Sequence, residues 1–104
     1  MNTFGSENED RIYHLLKGVI DPELMVNIID LGLVYEIFFD EKNQAITIRM
    51  TLTSPGCPMG EAIQEDVMQR VKTAYENYDI KIDLVWEPQW STSFMSDEAK
   101  KQLG

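Results

Sequence analysis

Ile46-Thr47-Ile48-Arg49-Met50-Thr51-Leu52-Thr53-Ser54-Pro55-Gly56-Cys57-Pro58 is where the chain changes period. Up to Thr53 the residues alternate, with Ile46, Ile48, Met50 and Leu52 on one face of a strand and Thr47, Arg49, Thr51 and Thr53 on a polar face. Beyond Pro58 the spacing becomes three and four. Met59, Ala62, Ile63, Val67, Val71, Ala74, Tyr75 and Tyr78 mark a long amphipathic helix that buries one stripe. Ser54-Pro55-Gly56 breaks the strand, and Pro58 suits the first helical position, where a missing N–H costs nothing. Cys57, the only cysteine, is therefore expected near the N-cap. Unpaired N–H groups and the helix dipole there favour a thiolate over a thiol.

Upstream, 31–40 reads as a strand that is apolar on both parities, with Leu33, Tyr35, Ile37 and Phe39 on one and Val34 and Phe38 on the other. Cover on both faces is expected. Glu41-Lys42-Asn43-Gln44 has the length and polarity of a hairpin connection. Ser6 and Glu9 have capping-box spacing, and Ile12, Leu15, Leu16 and Val19 share a stripe, which predicts a helix over 7–18. Asp21-Pro22-Glu23 ends that pattern, because proline turns the residue before it away from helical dihedrals. Downstream, Ile80, Ile82, Leu84 and Trp86 alternate against Lys81, Asp83 and Glu87 as a third strand. Ser96 can cap a short final helix.

The order α-β-β-α-β-α, with helices on one face of a three-stranded sheet, predicts an α+β two-layer sandwich. One domain over 1–104 is expected, with its ordered core over 7–104. Strand order stays open, since the third strand can pair with either earlier one. A formal net charge of −9 opposes binding to nucleic acid or an anionic membrane surface. No apolar run approaches the roughly 20 residues needed to cross a bilayer. The N-terminus lacks a basic segment followed by an apolar one, and a lone cysteine cannot form an intrachain disulfide, so a reducing cytoplasm is expected.

The second and third strands must run in one direction, because the long helix returns the chain between them. Thr51, Thr53 and Cys57 then share a sheet edge with Glu87 and Trp90, and the loop carrying Asp30 begins at that edge too. Asp21, Glu23 and Asp30, on one loop, can serve a cation, a thiol or a partner's basic group. Each residue has a plainer reading as well. Asp21 fits an Asx-type turn, Asp30 a stop before Gly32, Trp90 core packing and Cys57 a small apolar residue at a helix start. The six methionines read as core filler.

A cysteine hydrolase needs an imidazole near sulfur, yet the only histidine, His14, lies off the main stripe of the first helix and reads as solvated. A disulfide oxidoreductase needs a resolving cysteine, which is missing. Clusters of iron and sulfur are usually held by four thiolates. One thiolate can carry such cargo only by dimerising, by recruiting small thiols or carboxylates, or by handing it on.

Asp21-Pro22-Glu23, Asp30-Leu31-Gly32-Leu33-Val34-Tyr35, Thr51 through Pro58, Val85-Trp86-Glu87-Pro88 with Trp90, and Met95-Ser96 before Leu103-Gly104 occur in order. Together, across 12–104, they resemble the metal-sulfur cluster biosynthesis family. This is the SufT- and PaaD-like group that also holds the eukaryotic MIP-type cytosolic iron-sulfur assembly factor. The resemblance implies an iron-sulfur assembly fold and a non-enzymatic role in maturing iron-sulfur proteins. It also implies that Cys57 is the functional cysteine, with Asp21, Glu23, Thr53 and Ser54 near it. Iron or an iron-sulfur cluster would be transient cargo, and assembly or client proteins the partners.

Gln89 departs from the pattern, since many relatives place a second proline before the tryptophan. The cysteine-rich C-terminal extension of PaaD proper is also absent, which disfavours membership of a ring-epoxidation system. A thiol-dependent enzyme and a metal-free adaptor stand as alternatives. A homodimer would set two thiolates near each other, though nothing in the spacing requires one.

Overall fold

Three strands and two helices carry the core, and the register of the strands decides which residues meet. The computed structural model describes residues 7–53, 56 and 59–103. Helix α1 spans Glu7–Leu16, strands β1 and β2 are Ile20–Asp21 and Val26–Asn27, and strands β3 and β4 are Val34–Asp40 and Ala45–Met50. Helix α2 follows at Gly60–Ala74, then strand β5 at Asp79–Leu84, a 3-10 turn at Thr92–Phe94 and helix α3 at Asp97–Leu103. β3, β4 and β5 form one sheet in that order, with β3 antiparallel and β5 parallel to β4. The third strand thus pairs with the second. α1 packs on β3 and on α2, and α2 packs on β5, so both helices cover one face of the sheet.

The expected stripes make the core. Ile46, Ile48 and Met50 of β4 meet Ile12 and Leu16 of α1 and Ile63, Val67 and Val71 of α2 in one buried cluster. Each fully buried aliphatic side chain stabilises the fold by about 1.5–3 kcal/mol. α1 ends two residues before the expected stop, and Lys17 and Gly18 close a tighter turn on the carbonyls of His14 and Leu15. The capping-box partner Ser6 lies outside the described residues. Glu9 Oε2 accepts the Phe39 N–H at 2.9 Å, which satisfies a backbone donor on the outer edge of β3.

Several expectations are corrected. β3 begins at Val34, not Leu31, and only one of its faces is covered: Glu36 and Asp40 are exposed and Phe38 is 44% exposed. The register slips at Tyr35, so that Val34 faces Met50 while Glu36 faces Arg49. Such a bulge frees the extra residue from the ladder. Thr51, assigned to the polar face, is 1% exposed, because β4 has ended and its N–H bonds the Leu33 carbonyl at 2.8 Å.

α2 opens at Gly60 with Met59 at the N-cap, two residues beyond the position assigned to Pro58. Its last expected members, Tyr75 and Tyr78, follow the helix and cluster with Phe39, with ring centroids 5.0–5.6 Å apart. Ala62 and Ala74 are exposed. The ladder of β5 stops at Leu84, leaving Trp86 40% exposed instead of facing inward. Ser96 caps α3 as expected, its Oγ accepting the Ala99 N–H at 3.2 Å.

Candidate functional site

The ends of β4 and β5 and the start of β3 meet at one edge of the sheet, where a set of hydrogen bonds ties their loops together. Thr51 N–H bonds the Leu33 carbonyl and Val85 N–H bonds the Met50 carbonyl, at 2.8 and 2.9 Å. The Trp90 indole Nε1 donates to the Leu31 carbonyl at 2.7 Å, and the Tyr35 hydroxyl donates to the Pro88 carbonyl at the same distance. Ser96 N–H donates to the Asp30 carbonyl at 2.7 Å. Gly32 makes the close approach possible: its φ of +79° suits glycine, and a side chain there would overlap the Phe94 carbonyl.

Tyr35 sits at the centre of this arrangement. Its bulge turns it out of the ladder, and its ring packs edge-on against Phe94 with centroids 5.9 Å apart. Burial raises the phenol above its ordinary value; a hydrogen bond with Thr51 pulls the other way, and the charge of Glu87 raises it again. Thr51, Tyr35 and Glu87 are therefore neighbours, although they come from three separate segments.

Asp30 is held by Asn27, which donates Nδ2–H to Asp30 Oδ2 at 2.6 Å and accepts the Asp30 N–H on Oδ1 at 2.9 Å. Asp30, Tyr35, Glu36, Glu87 and Phe94 line a cleft of about 660 Å³. Arg49 on its wall is shared between Glu36, at 2.6 Å, and Asp83, at 3.3 Å. The cleft is thus aromatic within and predominantly acidic at its rim.

Of the residues singled out by sequence, the structure brings Asp30, Thr51, Glu87 and Trp90 to this edge. Thr53 follows directly and is half-buried. Trp90 spends its indole N–H on the fold and packs against the core, so the more exposed tryptophan is Trp86. Asp21 is 1% exposed and closes its own turn between β1 and β2, Oδ1 accepting from Glu23 N at 2.8 Å and Leu24 N at 3.4 Å. The Asx-turn reading of Asp21 holds. Glu23 is exposed on that turn.

Ser54 and Cys57 lie outside the described residues, and the N-cap of α2 is Met59, two residues beyond the place expected for Cys57. Tyr35, Asn27 and Phe94 join the edge without having been singled out. Only the register slip at Tyr35 reveals its part, and alternation alone does not show a slip.

His14 is exposed on α1 and is partnered by Asp10 one turn earlier, at 3.7 Å. Among the described residues no group of three or more His, Cys, Asp or Glu side chains is placed to hold a metal ion. Nor is any described helix long and apolar enough to cross a membrane.

The family profile described as iron-sulfur cluster assembly protein matches residues 9–84. The chain belongs to that family. The matched stretch runs from α1 to the end of β5 and includes the whole three-stranded sheet. Two similar proteins are an Fe-S protein maturation auxiliary factor of Porphyromonas gingivalis and the auxiliary factor SufT of Staphylococcus aureus. The first is 40% identical over 104 residues, covering 100% of this chain and 98% of that protein. The second is 44% identical over 86 residues, covering 83% and 97%. A crystal structure of a domain of unknown function from Bacillus anthracis superimposes with a TM-score of 0.85 at 45% identity, covering 91% of this chain and 90% of that one. The fold expected from the motifs is the fold of this family member.

Proposed function

We propose that this protein is an auxiliary maturation factor for iron-sulfur proteins, acting without turnover through Cys57. The observation that carries the reading is the hydrogen-bonded junction of three loops at one sheet edge. The segment bearing the sole cysteine leaves β4 at that edge. In this reading Cys57 supplies one thiolate to iron or a cluster in passage, and a client or carrier protein supplies the remaining ligands. Asp30, Thr51, Thr53, Ser54 and Glu87 shape the docking edge, with Asp21 and Glu23 on the neighbouring turn. Trp90 braces the edge from within.

The net charge of −9 suits partners with basic patches, and the lone cysteine suits a site of action in the reducing cytoplasm. A second reading is favoured by the missing donor group among the described residues: an adaptor that brings client and carrier together while Cys57 never touches metal.

Anaerobic incubation with iron and sulfide, followed by absorbance and by metal and sulfide analysis, separates the two. Wild type taking up iron or sulfide while Cys57→Ser does not supports the carrier. Uptake by neither leaves the adaptor. Client iron-sulfur enzyme activity lost on deletion and restored by Cys57→Ser would overturn any role for the thiol.

A further inference from the structure

β5 closes the sheet order β3-β4-β5, and no further described strand lies beyond it. Asp79 N–H bonds the Gln44 carbonyl and Val85 N–H bonds the Met50 carbonyl, so odd-numbered residues of β5 turn their backbone groups toward β4. By alternation Ile80, Ile82 and Leu84 turn theirs to the open edge. The same three side chains belong to the core stripe yet are only half-buried, whereas Ile46, Ile48 and Met50 beside them are fully buried. An extended edge that no described strand pairs, with half-covered aliphatics, is a template for another strand.

We propose that the added strand is β5 of a second copy of this chain, antiparallel, with Ile82 facing the partner's Ile82. A two-fold axis allows only registers centred on one residue. Centring on Lys81 would set Lys81 against itself and Asp79 against Asp83, and centring on Asp83 would set Asp83 against itself. Centring on Ile80 would leave Leu84 beyond the paired strand. Centring on Ile82 pairs Ile80 with the partner's Leu84 and Lys81 with the partner's Asp83, twice over.

The even-numbered residues then form hydrogen-bonded pairs through the groups that face outward. Lys81 and the partner's Asp83 fall at a non-hydrogen-bonded pair, where side chains lie closest. The registers already align Glu36, Arg49 and Asp83 across the uncovered face, and Arg49 bridges the two carboxylates. The partner's Lys81 extends this row to four charges of alternating sign.

The dimer is a continuous six-stranded sheet whose two docking edges point in opposite directions. Along the strands the two Leu84 positions stand four residues apart, about 13 Å.

Sedimentation equilibrium on the full chain tests the interface. Wild type is expected to associate as a dimer. Lys81→Glu, an exposed change that makes both cross-strand pairs repulsive, raises the dissociation constant roughly tenfold or more, while Lys81→Arg preserves it. In a mixture of labelled and unlabelled chains, an isotope-filtered NOE between the Hα protons of Lys81 and Asp83 reads the register directly. A chain that stays monomeric to millimolar concentration overturns the proposal. So does a dimer that is indifferent to Lys81→Glu or lacks that NOE.

Discussion

Trp90 donates its indole N–H to the carbonyl of Leu31 at 2.7 Å, joining the loop after β5 to the turn before β3. Leu31 is fully buried, so its carbonyl has little access to water if the donor is lost. Trp90→Phe retains a ring but leaves that carbonyl unpaired, and is expected to cost about 1–3 kcal/mol in urea unfolding. Trp86→Phe, at the exposed neighbour, is expected to change stability by less than about 0.5 kcal/mol. Equal effects of the two would remove Trp90 from its bracing role.

Gly32→Ala is expected to destabilise the same edge for a backbone reason. The residue holds φ +79° and would press a Cβ against the Phe94 carbonyl. A loss of about 1–3 kcal/mol is expected, with a matching fall in Tm. Gly56→Ala is the control, since a Cβ there meets nothing within 4 Å. Calorimetry of the pair checks the contrast.

How far the edge was legible in the sequence follows from what kind of signal each residue carries. Ile46, Ile48 and Met50 advertise their burial by alternation, and Ile63, Val67 and Val71 by helical spacing, so the sandwich and its direction of travel could be read. The ribbon of Ile20–Asp21 with Val26–Asn27 could not, because two-residue strands have no period to detect. Tyr35 misleads for a different reason. It sits in phase with Leu33 and Ile37, and only the pairing with β4 discloses that the phase breaks there. Thr51 looked solvent-facing because alternation says nothing of the loops that fold over a strand's end. The core-packing reading of Trp90 leaves out its hydrogen bond, because sequence does not show the Leu31 carbonyl that accepts its N–H.

The phenols provide a pH test. Burial and the charge of Glu87, against the opposing Thr51 bond, hold Tyr35 above the ordinary phenol value, and burial with Asp30 and Asp10 raises Tyr13 likewise. A raised phenol holds its proton more tightly in the folded state than in the unfolded one. Its contribution to stability is therefore present below the unfolded value and is lost as pH rises through the folded value. Absorbance titration at alkaline pH is expected to show folded midpoints above those in urea, and Tyr35→Phe removes one of them. Coincident titrations in folded and unfolded protein would contradict the packing described around Tyr35.

Cys57→Ser separates structure from chemistry in the proposed role. Oxygen replaces sulfur with little change of size, and the bonds that tie the edge together run through Leu31, Leu33, Tyr35 and Trp90. Stability by urea unfolding is expected to stay within about 0.5 kcal/mol of wild type. Maturation of a client iron-sulfur enzyme, by contrast, is expected to fall to the level of the deletion strain. The two edge variants make the complementary case: Trp90→Phe and Gly32→Ala retain the thiol, so each should lower maturation only as far as it lowers the folded fraction. If Cys57→Ser instead unfolded the chain in proportion to its loss of function, the sulfur would be a packing atom and the maturation reading would have to rest on the acidic cleft alone.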